Sequence, residues 1–390
     1  MTNAALGNVL ASKQVVFIGG SGGVGKTTVS AALAVSLAIH TELSVLVITV
    51  DPARRLADAL GVSSLGNEPV DVDLGSIKAK GRLSAAMVDM KDSWDQIVQR
   101  CADPAVQERI FANPIYQNIS SQFVQSHDYI AVEVLFELSN RGNFDLIVVD
   151  TPPSRNAIDF LDAPARMEEF FSSKLLKWLI APYRSKVFVS AFKPFNAVAE
   201  RILGSDFVAQ LAEFFVDFQG MQDGFLIRAK AVSELIKSEK SAFVVVTTPS
   251  EAPVTEANFL ISELVERNLP LSAVIVNRTL PKKLADREVV NAAARLEESA
   301  QEATELLVSC FRREHPDVEE ELNLALPAIF SRVLSEVENC YRGLSGQLST
   351  EVAQRTRIGA DRDSIIEIPQ MRNDIASLQQ LSGLLEHLWG

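Results

Sequence analysis

The stretch Gly19-Gly20-Ser21-Gly22-Gly23-Val24-Gly25-Lys26-Thr27-Thr28 limits this chain's fold more than any other. Before it runs Val15-Val16-Phe17-Ile18, an apolar segment that predicts a buried strand. After it, residues 29–38 predict a helix. Inside it, Gly20, Gly25, Lys26 and Thr27 hold the spacing G-x-x-x-x-G-K-[ST] of a phosphate-binding loop. Glycines let the backbone curl until several N–H groups face one phosphate. The helix that follows adds the positive end of its dipole. Lys26 then reaches the β- and γ-phosphates, and the Thr27 hydroxyl suits Mg²⁺. A strand, this loop and a helix predict an open, mostly parallel α/β sheet.

The downstream segments repeat the pattern. Residues 43–50 are almost continuously apolar, as in a strand buried on both faces, and end at Asp51. Side chains at the carboxyl ends of such strands collect around the ligand, so Asp51 is expected near the phosphates. It also suits the cap of a helix starting at Pro52. Residues 62–80 read as loop and Arg82 to Met90 as a strand. Lys91 to Leu138 reads as helix broken at Pro104 and Pro114. Leu146-Ile147-Val148-Val149 then runs into Asp150, the pattern of a strand that carries a metal-side carboxylate.

Eleven of the twenty phenylalanines fall between Phe160 and Phe225, at helical spacing around Phe170–Phe171 and Phe207–Phe218. Such faces must be covered. They form either a packed helical subdomain or a groove for a hydrophobic helix. Strands are expected at 241–248, at 272–276 running into Asn277-Arg278, and at Ser364–Pro369. Helices are expected at 253–268 and 374–388, and a pair over 283–347 split at Pro316. The expected division is an ATPase core over 1–90, 143–160, 241–280 and 351–390. Interrupting it are a helical insertion at 91–142, a Phe-rich one at 161–240 and a helical pair at 281–350.

A net charge of −13 disfavours non-specific binding to nucleic acid or to anionic membrane. Cys101, Cys310 and Cys340 are far apart, without a C-x-x-C, which disfavours zinc and fits a reducing compartment. No run of about 18 uncharged apolar residues is present, so no membrane span is expected. With no signal-peptide pattern at the start, these features predict a soluble, cytoplasmic protein.

Together these residues resemble the family of the arsenite-pump ATPase and the tail-anchored-protein targeting ATPase, over most of the chain. The family's loop G-K-G-G-V-G-K-T-T is matched by Gly20 to Thr28 and its first switch, D-P-A-H, by Asp51-Pro52-Ala53. Its second switch, D-T-A-P-T-G-H, is matched loosely by residues 150–154 and its V-N by Val276-Asn277. Ile368-Pro369 and the helix after it resemble the family's last strand and helix. The resemblance implies ATP and Mg²⁺, with residues 20–28 on the phosphates and Thr27 on the metal. It implies that Asp51 positions the attacking water, that Asp51 and Asp150 lie in the metal's outer shell, and that Asn277 holds adenine. Arg278 and Pro369 join the nucleotide-binding set. It also implies a homodimer, or a heterodimer with a related subunit, that closes on ATP. The partner served is then a tail-anchored or other hydrophobic client, or an anion pump.

Ser21 departs from this pattern, because the family has a lysine there that reaches the partner's phosphates. A neutral hydroxyl does not replace that charge. Arg54, Arg55 and Arg155 are the candidates to do so; otherwise a second subunit brings the lysine. In that case the chain acts as an ATP-binding regulatory subunit, active only with its partner.

Overall fold

The computed structural model describes residues 3–51, 54–75, 77–117, 126–153, 158, 161–163, 165–166, 168–169, 172–173, 204–316, 325–371 and 377–389. Arg155, Phe160, Phe170, Phe171, Pro52 and Ala53 lie outside them, as does the expected helix start at Asp374.

The strands are β1 (Val15–Gly20), β2 (Ser44–Thr49), β3 (Val70–Asp71), β4 (Arg82–Met87), β5 (Leu146–Asp150), β6 (Ser241–Thr247), β7 (Leu271–Thr279) and β8 (Ile365–Pro369). The helices before β5 are α1 (Asn3–Ala11), α2 (Lys26–His40), α3 (Arg55–Leu60), α4 (Met90–Cys101), α5 (Pro104–Ala112) and α6 (Ser126–Asn140). Later come α7 (Ser205–Gln219), α8 (Gln222–Lys237), α9 (Glu251–Glu266), α10 (Arg287–Glu298), α11 (Ala300–Glu314), α12 (Leu326–Thr356) and α13 (Leu378–Trp389).

One sheet holds all eight described strands in the order β3-β4-β2-β5-β1-β6-β7-β8. Every pair is parallel except β3 with β4. The doubly wound α/β architecture expected from the loop is therefore present. Its cause is visible in the strands. In β1, Val15 and Phe17 enter one apolar cluster while Val16 and Ile18 enter the other. Leu46 and Ile48 against Val45 and Val47 divide the same way in β2, as the two-residue period of a strand requires. Both faces are therefore covered.

On one face lie α1, α2, α3 and α13, contributing Leu6, Leu33, Leu56 and Leu384. Helix α2 is buried almost all round because it sits between the sheet and α13. On the other face, α9 supplies Leu260 and Leu264, and the same cluster continues into α4, α6, α7 and α8. There Trp94 packs against Phe218 and Phe225 at centroid distances of 5.7 and 6.5 Å, and Phe214 stacks on Phe218 at 5.3 Å. Phe214, Phe218 and Phe225 are thus core, whereas Phe207 is 41% exposed. A partly buried ion pair, Arg228 Nε to Glu133 Oε2 at 2.7 Å, ties α8 to α6.

Three local features differ from the sequence reading. Among the described residues, the pair of helices expected over 281–350 is three α-helices, α10, α11 and α12, because Ser299 also interrupts the run. Serine competes for backbone hydrogen bonds and favours helix boundaries. Helix α12 starts with Pro327 in its first turn and runs on to Thr356. The 62–80 stretch contains the short edge strand β3, and α1 precedes β1, anchored by Leu6 and Leu10.

At the end of β1 the chain must turn under the loop. Gly20 has φ 152°, and a Cβ there would lie 2.1 Å from the Val246 carbonyl oxygen of β6. Only glycine lets β1 pair with β6 up to that point and then leave the sheet.

Candidate functional site

The sheet order brings three strand ends together. Asp150, last in β5, is register partner to Ile18 of β1 and to Thr49 of β2. The loop leaving β1 and the segment leaving β2 therefore flank one carboxylate. The Asp150 side chain is 1% exposed. Its Oδ2 accepts from Thr27 Oγ1 at 2.7 Å and from Thr49 Oγ1 at 3.0 Å. Ser30 Oγ lies 3.4 Å from Oδ1 but donates more closely to the Lys26 carbonyl, at 2.9 Å. Burial pushes the Asp150 carboxyl up from its ordinary range. The Thr27 and Thr49 hydroxyls and the Lys26 charge pull it back, and Asp51 pushes it up again.

Lys26 opens α2. Its Nζ donates to the Ser21 carbonyl at 2.9 Å, so the ammonium lies over the loop. Burial draws its pKa below the ordinary lysine value, against the pull of Asp150 and Asp51. The charge of Arg55 acts in the same direction as burial. Asp150 and Asp51 thus favour the Lys26 charge, and burial and Arg55 oppose it.

Gly25 caps α2 with φ 94° and no side-chain capping bond, which leaves the helix's first N–H groups to an anion. A Cβ on Gly25 would lie 2.4 Å from Asn277 Nδ2. That amide donates to the Val24 carbonyl at 2.8 Å, and Asn277 Oδ1 accepts from the Arg278 N–H at 3.0 Å. Asn277 therefore holds the loop from the β7 side. Around Gly22 and Gly23 nothing lies within 4 Å of a built Cβ, so the loop crest is open. The Thr27 hydroxyl and the Asp150 carboxylate, in contact here, are hard oxygens that fit Mg²⁺, and the Asp51 carboxylate is close enough to act electrostatically on Lys26 and Asp150. The loop and the uncapped helix end fit a nucleotide phosphate.

The structure brings Lys26, Thr27, Asp51 and Asp150 to one strand-end cluster and places Ser21, Val24 and Asn277 against it. Arg278 is exposed, with φ 59°, and Pro369 ends β8 opposite Thr279. Of the arginines, Arg54 is committed to the Ser63 carbonyl through Nη2. Arg55 is exposed at the start of α3 and acts electrostatically on Lys26. The sequence reading missed Thr49. The available signal was a lone hydroxyl in an otherwise apolar run, Val45 to Val50.

A family model described as anion-transporting ATPase matches residues 13–312. ATPase GET3 of Malassezia globosa is 27% identical over 277 residues, covering 70% of this chain and 76% of that protein. An ATPase ASNA1 homolog of Entamoeba dispar is 26% identical over 276 residues, 68% and 76% of the two chains. ATPase GET3 of Phaeosphaeria nodorum is 25% identical over 304 residues, 76% and 86% of the two.

Proposed function

The chain belongs to the anion-transporting ATPase family and is an ATP hydrolase, and from that premise we propose that Mg²⁺-dependent hydrolysis at the Lys26 loop drives closure of a two-subunit assembly that handles hydrophobic segments of membrane proteins. The observation that carries the ATPase part is the Thr27–Asp150–Lys26 cluster at the adjoining ends of β1, β2 and β5. Residues 20–28 cradle the phosphates, and Lys26 neutralises charge on the β- and γ-phosphates. Asp51 orients the attacking water and accepts its proton. Thr27, Asp51 and Asp150 would hold Mg²⁺, which when bound would screen the phosphate charge. Asn277 fixes the loop and lies on the adenine side.

The charge that Ser21 does not supply comes from Arg55. Arg54 is engaged by Ser63, while Arg55 is exposed beside Lys26. A cation on the developing γ-phosphate charge is worth several powers of ten. Steady-state kinetics of Arg55→Ala should show kcat down by about 10²-fold or more with KM little changed. Arg54→Ala should stay near wild type. Equal, wild-type turnover in both variants would remove this role.

The client is a tail-anchored or similar hydrophobic helix, for which the Phe-rich segment is the motive. Phe214, Phe218 and Phe225 belong to the core, so the accessible described contribution is Phe207. Capture of a synthetic tail-anchor peptide in the ATP-bound state, weakened by Phe207→Glu, is the expected result. No capture under any nucleotide would exclude this client.

A second reading, an energising subunit of an anion pump, is favoured by the family's description. Cys101, Cys310 and Cys340 stand on three different helices, α4, α11 and α12. Arsenite-stimulated hydrolysis would support it. Ser21 favours a third, a heterodimer whose other subunit brings the loop lysine. ATP binding without turnover by the chain alone would support that.

A further inference from the structure

We infer that Thr49 is a positioning residue that locks the water-orienting Asp51 to the metal-side Asp150; this rests on the ATPase reading of the site. Its hydroxyl both donates and accepts. The O–H donates to Asp150 Oδ2 at 3.0 Å, and the oxygen accepts the Asp51 N–H at 3.2 Å. Thr49 is 1% exposed, so its hydroxyl is shielded from solvent. The sheet dictates the contact, because β2 and β5 are parallel with Thr49 opposite Asp150. Register partners in a parallel pair project to the same face.

Two consequences follow from one oxygen. Asp150 Oδ2 is held from both sides, by Thr27 of the phosphate loop and Thr49 of β2, so its carboxylate has a fixed rotamer. Asp51 is the second residue beyond β2, after Val50, where the chain leaves the ladder. Its N–H donates to the Thr49 hydroxyl two residues back in the strand. The backbone that carries the Asp51 carboxylate is thereby indexed to the same atom that orients Thr27. A misplacement of about 1 Å at a reacting centre costs about 10²-fold in rate, which is the scale on which such a lock acts.

Valine keeps the shape and β-propensity of threonine and removes only the hydroxyl, whereas serine keeps the hydroxyl and removes the methyl. The test compares the full-length wild type, Thr49→Val, Thr49→Ser and Thr49→Ala by two readouts. At saturating ATP and Mg²⁺, kcat should fall about tenfold or more in Thr49→Val and Thr49→Ala, with KM for ATP within about threefold. Thr49→Ser should stay within about threefold of wild type in both constants. In protein without nucleotide, hydrogen exchange at the Asp51 amide should speed up about tenfold in Thr49→Val and not in Thr49→Ser. Wild-type kcat and exchange in Thr49→Val would overturn the inference. So would equal losses in Thr49→Ser and Thr49→Val, which would make the residue a packing group. Should Thr49→Val not fold, Thr49→Ala against Thr49→Ser decides the same question. Absence of Lys26-dependent turnover in the wild type would defeat the ATPase reading instead, and the exchange comparison would still test the lock.

Discussion

Asp51→Asn is expected to leave ATP bound and to stop its hydrolysis. The substitution keeps the side chain's size and removes its charge and its proton acceptor. The Asp51 contact to Thr49 is made by the backbone N–H, so the bend after β2 persists. General-base assistance is worth about 10²- to 10⁴-fold, and kcat should fall by about 10³-fold. ATP affinity should change by no more than about threefold, because the role proposed for Asp51 is to orient the attacking water. Single-turnover hydrolysis and fluorescent-nucleotide titration on the same preparation separate the two. The charge has a further effect. Asp51 pushes the Asp150 carboxyl up and holds the Lys26 ammonium against burial. In Asp51→Asn both of those influences disappear. A variant with wild-type kcat would remove Asp51 from the chemistry.

Lys26→Ala is expected to fail at the earlier step. Hydrogen bonds to charged groups are worth about 1.5–3 kcal/mol each, and the proposed role of this ammonium is to meet two phosphates, so ATP affinity should drop by about 10²-fold or more. The loss is not only one of contacts with nucleotide. The Lys26 charge pulls the Asp150 carboxyl down against its burial, so without it the carboxyl rises further. The metal-side carboxylate and the phosphate cradle therefore weaken together. Titration of nucleotide with and without Mg²⁺ should show the deficit under both conditions and the larger one with Mg²⁺. Undiminished ATP affinity would mean that phosphates bind elsewhere.

Much of this site is legible in the residues. The glycine spacing from Gly20 to Gly25 has one structural use, a loop between strand and helix, and β1 and α2 flank it. Continuous apolar runs at 43–50 and 146–149 are legible because parallel strands with both faces covered tolerate few polar side chains. Asp51 and Asp150 then mark where those strands end. The contacts between distant segments are not legible. Asn277 reaches Val24 across 253 positions of sequence, and only the order β1-β6-β7 brings them together. Thr49 looks like an ordinary strand residue until the register with Asp150 is known. The phenylalanines of α7 and α8 have the same spacing whether they line a groove or fill a core. Trp94, on the other side of β5 in sequence, covers Phe218 and Phe225. Ser299 lies in a charged, alanine-rich run that reads as continuous helix, and serine is a weaker interruption than the proline at 316.

Steady-state ATP hydrolysis by the purified chain alone, beside Lys26→Ala, is the measurement to make first. Turnover that depends on Lys26 and Mg²⁺ is expected, since Lys26, Thr27, Asp51 and Asp150 all lie at one cluster in this chain and Arg55 stands near the loop. Tight ATP binding with no turnover, or turnover that survives Lys26→Ala, would contradict a complete active site in this chain.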